Sequence, residues 1–423
     1  MILFVLFSAL ASFLAVNWIY FKVLKIAKDK EIVDNPEARK LQKVPIPVMG
    51  GIAVFFGIVA GGLTGAVAMT ISGEGGILLL LPIVASMVML YVGAIDDVIG
   101  LTPVSRLVIE MLVVQALIFA SGRCVDSFHG LFFIREFSWW IAVPLTVFSS
   151  VGFINAINMI DGVNGLSSGL CMVCCGMFGV AFVHSGDMAN AVLAFSMVGS
   201  LFPFFMHNVF GKHSRMFIGD SGTMVMGVAM SWFVINLLYT GSFVSAMMRG
   251  RYYNMIAFCG AVLSVPIADT LRVMMMRMLK GRSPFSPDKT HLHHAFIKVG
   301  VSHSITALSE IFIDMMVVLI WALSVKVWHV GLVIQLLVVI VTGLILVWGT
   351  YAFLAYHIDK QTKTYNRLNR IGLATHLGHK NWWLKLQRWL DAPEMKAHEE
   401  EREKYRSAHK ERRFHHESLT EKN

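Results

Sequence analysis

The sequence predicts an all-α, polytopic integral membrane protein of about 11 transmembrane helices, N-terminus outside and C-terminus cytoplasmic. Three observations predict it. Hydrophobic residues make up 56% of the 423-residue chain and charged residues only 15%, where soluble proteins are about a quarter charged. Apolar stretches of about 18 or more residues recur along nearly the whole length, enough each time to cross the hydrocarbon core. The loop lysines and arginines gather on alternate connections, and the positive-inside rule makes that side cytoplasmic.

Taken in order, the spans run roughly 2–22, 47–70, 77–95, 107–121, 138–157, 166–184, 189–206, 221–240, 254–272, 307–326 and 331–355. The first reads as a spanning helix and not as a cleavable signal peptide. It has no basic n-region and no small-residue cleavage site, and its positive charges follow the apolar run. Segments 22–46, 96–106, 158–165, 207–220 and 273–306 then share one side with the tail. The opposite connections are short (72–76, 185–188) or carry few charges (121–137, 240–253). Residues 1–355 form one membrane domain, and 356–423 form a basic tail too polar to span. Within the tail, 379–390 mixes tryptophans with bases at helical spacing, which suits a short helix in the headgroup layer. The plainer alternative is a partly ordered, solvated extension.

The net charge of +9 concentrates after the first span, around Arg282 and in the tail. Positive-inside bias explains that pattern better than nucleic-acid binding does. Of the five cysteines, Cys171 and Cys174 have C-x-x-C spacing. Within an apolar span and with no partner pair they read as core packing.

The chemistry lies in the cytoplasmic loops. Asp96-Asp97 closes the third span. Asn158-Met-Ile-Asp161-Gly-Val-Asn164 joins the fifth to the sixth, and Phe217-Ile-Gly-Asp220 opens the eighth. Asn158, Asp161 and Asn164 fall at i, i+3 and i+6, so a helical turn would put them on one face. Adjacent buried carboxylates repel, and a divalent cation or a basic group relieves the repulsion. Oxygen ligands without thiolate point to Mg²⁺, with Mn²⁺ as a substitute. The simpler alternative is that each carboxylate only caps a helix. A transporter would instead carry its ionisable groups at mid-membrane depth.

A further loop runs from Asp269 and Arg272 through Arg277, Arg282 and Lys289 to His291-Leu-His293-His294. Arginine forks, lysine and imidazoles suit phosphate oxygens. A zinc site from the three histidines competes, although His-x-His-His lacks the i, i+4 spacing that puts two ligands on one helix face. Metal-binding carboxylates, phosphate-binding bases and lateral access to lipid together fit chemistry on a phosphorylated lipid, and phosphoryl transfer needs mostly positioning and charge neutralisation.

At these residues the chain resembles the polyprenyl-phosphate N-acetylhexosamine-1-phosphate transferase family, over about residues 30 to 300. The motifs come in order: Asp34 to Gln42 with Pro45, Pro47, Gly50 and Gly51; Asp96-Asp97 with Arg106; Asn158 to Asn164; Phe217 to Gly222; and Arg282 to His294. Gln42 stands where many relatives have His, and Asn164 where many bacterial members have Asp.

The resemblance implies Mg²⁺ on Asn158 and Asp220, uracil stacked on Phe217 near Asn164, and lipid phosphate at Asp96. Asp97 and Asp161 would shape the catalytic centre. Arg106, Arg282, His291, His293 and His294 would hold phosphates and sugar. The implied reaction moves a sugar-1-phosphate from a UDP-N-acetylhexosamine to a polyprenyl phosphate, with release of UMP. N-acetylglucosamine is the first choice from the His-x-His-His form, and undecaprenyl phosphate is the carrier if the source is bacterial. Such a protein sits in the cytoplasmic (inner) membrane and opens a cell-envelope polysaccharide pathway. Direct attack and a phosphorylated-Asp route both stay open, as does a homodimer. A transporter and a family-derived scaffold are the rival classes.

Overall fold

The computed structural model describes residues 2–35, 44–71, 77–128, 131, 136–242, 254–286 and 289–420. Among these, ten helices are long and apolar enough to cross a membrane, and a bent pair forms an eleventh candidate. They are α1 (Ile2–Asp29), α2 (Gly50–Ile71), α3 (Leu80–Ile99), α4 (Pro103–Ser121) and α5 (Trp139–Met159). Next come α6 (Leu166–Ser185), α7 (Met188–Phe210) and α8 (Gly219–Leu238), the bent pair α9 (Met255–Val262) and α10 (Ser264–Leu279), and the short α11 (Leu292–Lys298). The last two spans are α12 (His303–Lys326) and α13 (Leu332–Lys360). The chain is a multi-pass, all-α membrane protein.

Helix α8 is the axis of the bundle. Every one of its residues except Asp220 is buried, as expected of a helix that is apolar on all sides. It packs against α2, α3 and α5. Spans α1 and α13 bury least and form the outer surface. Between α1, α2 and α7 the contact is made by small residues. Gly57, Gly61 and Gly65 recur every fourth residue on α2 and face Ser8, Ser12, Ser196 and Ser200. Where lipid is as apolar as leucine, close packing of this kind is what holds helices together.

The ninth span departs from the straight helix expected over 254–272. It bends by 75° at Leu263. Pro266 removes a backbone donor from the first turn of α10, and Asp314 of α12 meets the break. Its Oδ1 accepts from Ser264 Oγ at 2.8 Å and from Val265 N at 3.1 Å. Backbone groups freed inside a membrane need such partners. Asp314 and Glu310 lie one turn apart on α12, and both are fully buried. Not all acidic groups therefore sit at helix ends.

Residues 33–34 and 46–48 are fixed to the front of α8. A two-residue hairpin, β1 (Val33–Asp34) with β2 (Ile46–Pro47), pairs Val33 with Pro47. Phe217 N donates to Pro47 O at 2.8 Å, and Gly50 N donates back to Phe217 O at 2.9 Å. Residues 36–43, including Gln42, lie outside the described residues. Beyond the spans, the tail forms α14 (Lys363–Ala374) and α15 (Asn381–Thr420), a longer helix than the 379–390 segment expected.

Candidate active site

The ends of α3, α4, α5 and α8 meet at one cavity of about 1270 Å³. Gly93 makes the approach of α3 to α8 possible. A Cβ there would lie 2.5 Å from Ser221 N and Cα, so only glycine fits. Four residues further on, Asp97 Oδ1 accepts from Asp220 N at 2.8 Å and Oδ2 from Ser221 N at 3.1 Å. Its carboxylate is spent on the N-terminus of α8, where helix dipole and unpaired N–H groups favour an anion. For Asp97 the helix-capping alternative describes the geometry.

Asp96 points to the other side. Its Oδ1 accepts from Leu101 N at 2.6 Å, and its Oδ2 faces Arg106 Nη1 at 3.3 Å. Arg106 also donates to Glu110 Oε1 at 3.0 Å and lies 3.6 Å from Asp220 Oδ2. Glu110 is fully buried and accepts from Asn155 Nδ2 at 2.5 Å. Sequence reasoning missed Glu110. Its i, i+4 spacing from Arg106 was the available signal. One guanidinium thus serves Asp96, Glu110 and Asp220, leaving the cluster short of positive charge.

Asn158 stands on the last turn of α5, where its Nδ2 contacts Asp220 Oδ1 at 2.5 Å and Thr223 Oγ1 at 2.8 Å. The shared helical face expected for Asn158, Asp161 and Asn164 does not form. Helix α5 ends at Met159, and the other two residues lie in the turn to α6. That turn is tied down by Asn208, which accepts from Gly165 N at 2.6 Å and donates to Met216 O at 2.8 Å. All three side chains still line the cavity, as does Phe217. Asp161 accepts from Ser167 Oγ at 2.5 Å. Crowding by protein, reinforced by the charges of Asp220 and Asp34, pushes its carboxyl up to about 7. Its side chain is exposed to cavity water, which screens the charge and tempers that shift.

The histidine loop forms the opposite wall. His291 Nδ1 meets Asp269 Oδ2 at 2.8 Å. Asp269 also accepts from Arg272 Nη2 at 2.6 Å and Leu292 N at 3.1 Å. With Nδ1 held by a carboxylate, the Nε2 edge of His291 is left for a ligand. His293 stacks 5.5 Å from His291 and 4.4 Å from His294. It is buried with Nδ1 unpartnered, and burial together with the neighbouring imidazoles holds its pKa well below the ordinary value. Lys289, Arg277 and all three histidines line the cavity. Arg282 does not. It is exposed on a loop fixed by Arg277, whose Nη1 donates to Pro284 O at 2.5 Å.

The donor set bears on the metal. Among the described residues no group of three or more His, Cys, Asp or Glu side chains is placed to hold an ion. Two carboxylates, Asp96 and Asp220, and the Asn158 amide nonetheless converge where one guanidinium offsets three acids. Mg²⁺ typically takes one or two carboxylates and completes its shell with water and substrate phosphate, so these residues fit it. Asn158 and Asp220 would hold the ion.

A membrane bundle with acidic helix ends facing a basic, histidine-bearing wall defines a phosphoryl-transfer class of membrane enzyme. Comparison with known proteins agrees. Residues 79–238 match the profile of glycosyl transferase family 4. The chain is 31% identical over 291 residues to a probable undecaprenyl-phosphate N-acetylglucosaminyl 1-phosphate transferase of Bacillus subtilis (strain 168), covering 68% of this chain and 75% of that one. Against the undecaprenyl-phosphate alpha-N-acetylglucosaminyl 1-phosphate transferase of Yersinia pestis it is 28% identical over 288 residues, 66% and 73% of the two chains. The Escherichia coli (strain K12) protein of that name is 28% identical over 296 residues, 68% and 75%. The chain belongs to glycosyl transferase family 4.

Proposed function

We propose that this protein transfers N-acetylglucosamine-1-phosphate from UDP-N-acetylglucosamine to undecaprenyl phosphate, releasing UMP, at the cytoplasmic face of the inner membrane. The observation that carries the reading is the single cavity in which the three acidic helix ends meet the histidine loop. One stretch of its lining is apolar, Leu101, Pro103 and Leu107, and Val98, Ile99 and Val104 beside them in the chain are exposed. That suits entry of a polyprenyl chain from the bilayer.

An oxygen of the lipid phosphate attacks the β-phosphorus of the donor, and the bond from that phosphorus to the bridging oxygen breaks as UMP leaves. A phosphate monoester has its second pKa at about 6, so much of the nucleophile is already dianionic at neutral pH. Bringing two polyanions together is then the larger task. Arg106 and Lys289 supply positive charge and donors, and His291, oriented by Asp269, presents its Nε2 edge to the substrate. Mg²⁺, when bound, neutralises the donor pyrophosphate. Phe217 offers its ring to the uracil. Asp96 contacts the lipid phosphate, and with both Asp96 and Asp97 engaged by protein donors direct attack is favoured over a phosphorylated Asp.

The test is UMP release from purified protein with undecaprenyl phosphate, Mg²⁺ and a panel of UDP-sugars. UMP should appear only with lipid, metal and UDP-N-acetylglucosamine. Asp220→Ala should lower turnover by about 10²–10³-fold, the scale of removing one main stabiliser of transition-state charge. Unchanged turnover in Asp220→Ala, or full activity in EDTA, would remove the metal from the reading.

A further inference from the structure

The tail contributes to the wall of the catalytic cavity. His376, His379 and Trp383 line it together with Arg215 and His303 of the membrane domain. The tail is held there by specific contacts. Asp391 accepts from Ser214 N at 2.9 Å, Ser214 Oγ at 2.7 Å and Lys212 N at 3.1 Å. Glu394 pairs with Lys28 at 2.5 Å, and Trp383 packs 4.7 Å from Phe210. On the other side, Ser302 N donates to Thr375 Oγ1 at 2.9 Å, and His376 Nε2 meets Gly300 O at 3.1 Å.

Three basic groups are gathered by this docking. His303 lies within electrostatic reach of both Arg215 and His376. Arg215 Nε and His303 Nδ1 are buried without a hydrogen-bond partner. The acid that Arg215 feels, Asp391, acts on it through space, because the Asp391 oxygens are committed to the 212–214 turn. Burial lowers the Arg215 pKa from its ordinary value. Buried polar atoms left unpaired, one of them on a cationic side chain, are costly unless a ligand satisfies them. Arginine and imidazoles around a cavity that admits polyanions recognise phosphoryl oxygens.

We propose that Arg215, His303 and His376 form an anion subsite, built jointly by the membrane domain and the C-terminal tail, that binds a phosphoryl group of one substrate. The subsite rests on the transferase reading, in which two phosphorylated substrates share the cavity. The phosphoryl group belongs either to the nucleotide donor or to the lipid carrier.

Equilibrium binding of UDP and of farnesyl phosphate to the full-length protein in detergent separates these sources. The variants are Arg215→Gln, His303→Gln and His376→Gln, with Arg215→Lys as the charge-keeping control. Losing a hydrogen bond to a charged ligand should weaken one probe by about tenfold or more, with the other probe unchanged and Arg215→Lys close to wild type. Loss confined to UDP assigns the donor phosphate, and loss confined to farnesyl phosphate assigns the carrier. Unchanged affinity for both probes overturns the subsite. So does an equal loss of both with a lowered Tm, which marks a structural role. His376 is exposed, so its variant folds and keeps the test decisive if Arg215→Gln does not. Wild-type turnover, measured separately, tests the transferase reading independently of these affinities.

Discussion

At the scale of single residues, the site works by committing each polar atom to a partner and leaving a few edges open. Asp269 spends its carboxylate on His291, Arg272 and Leu292 N, which fixes how His291 faces the cavity. Asp269→Asn keeps the size but weakens that orientation, and kcat should fall about 10–100-fold, the scale of losing an outer carboxylate that orients a functional histidine. His291→Gln should lose a similar amount. The double variant should lose little more than either single one, because coupled residues are not additive. Full additivity in kcat would mean that the two act separately. Asp161 offers a test by pH. Its folded-state pKa of about 7 exceeds the unfolded value of about 3.9, so its contribution to stability is present below pH 4 and lost as pH rises through 7. Cavity water screens the exposed carboxylate, so Asp161→Asn should raise Tm only modestly at pH 8 and leave it nearly unchanged at pH 4. A Tm gain that is the same at both pH values would mean the carboxyl is not perturbed.

At the scale of elements, helices meet through glycine and serine, and neighbouring glycines on α2 differ sharply. A Cβ at Gly61 would lie 1.9 Å from Ser12 Oγ and 2.6 Å from Ser8 O, whereas at Gly62 it meets only the flexible end of Ile83 at 2.8 Å. Gly61→Ala should destabilise by about 1–3 kcal/mol, the range for overpacking, and Gly62→Ala by much less, read as thermal inactivation in detergent. Equal losses would show that α1 can move away from α2. The sequence made the spans legible because lipid demands long apolar runs. The acidic helix ends were legible because charged groups are sparse against such a background. The bend at Leu263 was not legible, since Ser264 and Pro266 mark a break only once Asp314 is seen to complete it. The turn after Met159 was missed because Asn158, Asp161 and Asn164 keep helical spacing in a segment that leaves the helix. The tail's part in the cavity was hidden because its contacts join residues far apart in the chain, such as Ser214 with Asp391.

At the scale of the whole molecule, the arrangement is polarised. The cavity is lined by residues of segments 33–34, 44–48, 96–107, 155–168, 204–220, 277–286 and 289–304 and by the tail, all on the side where α1, α3, α5, α7 and α10 end and α2, α4, α6, α8 and α12 begin. The opposite connections carry Arg123, Arg135, Arg249, Arg251 and Lys326, while the cavity side holds the remaining loop lysines and arginines and the basic tail. Charge asymmetry of this kind fixes orientation during insertion, and the positive-inside rule predicts a cytoplasmic site, which the proposed nucleotide-sugar donor requires. Reporter fusions after Lys212 and after Gly186 sample the two ends of α7. The Lys212 fusion should report cytoplasm and the Gly186 fusion the exterior. The reverse pattern would separate the site from a cytoplasmic donor, and the basic wall would then face a compartment without its substrate.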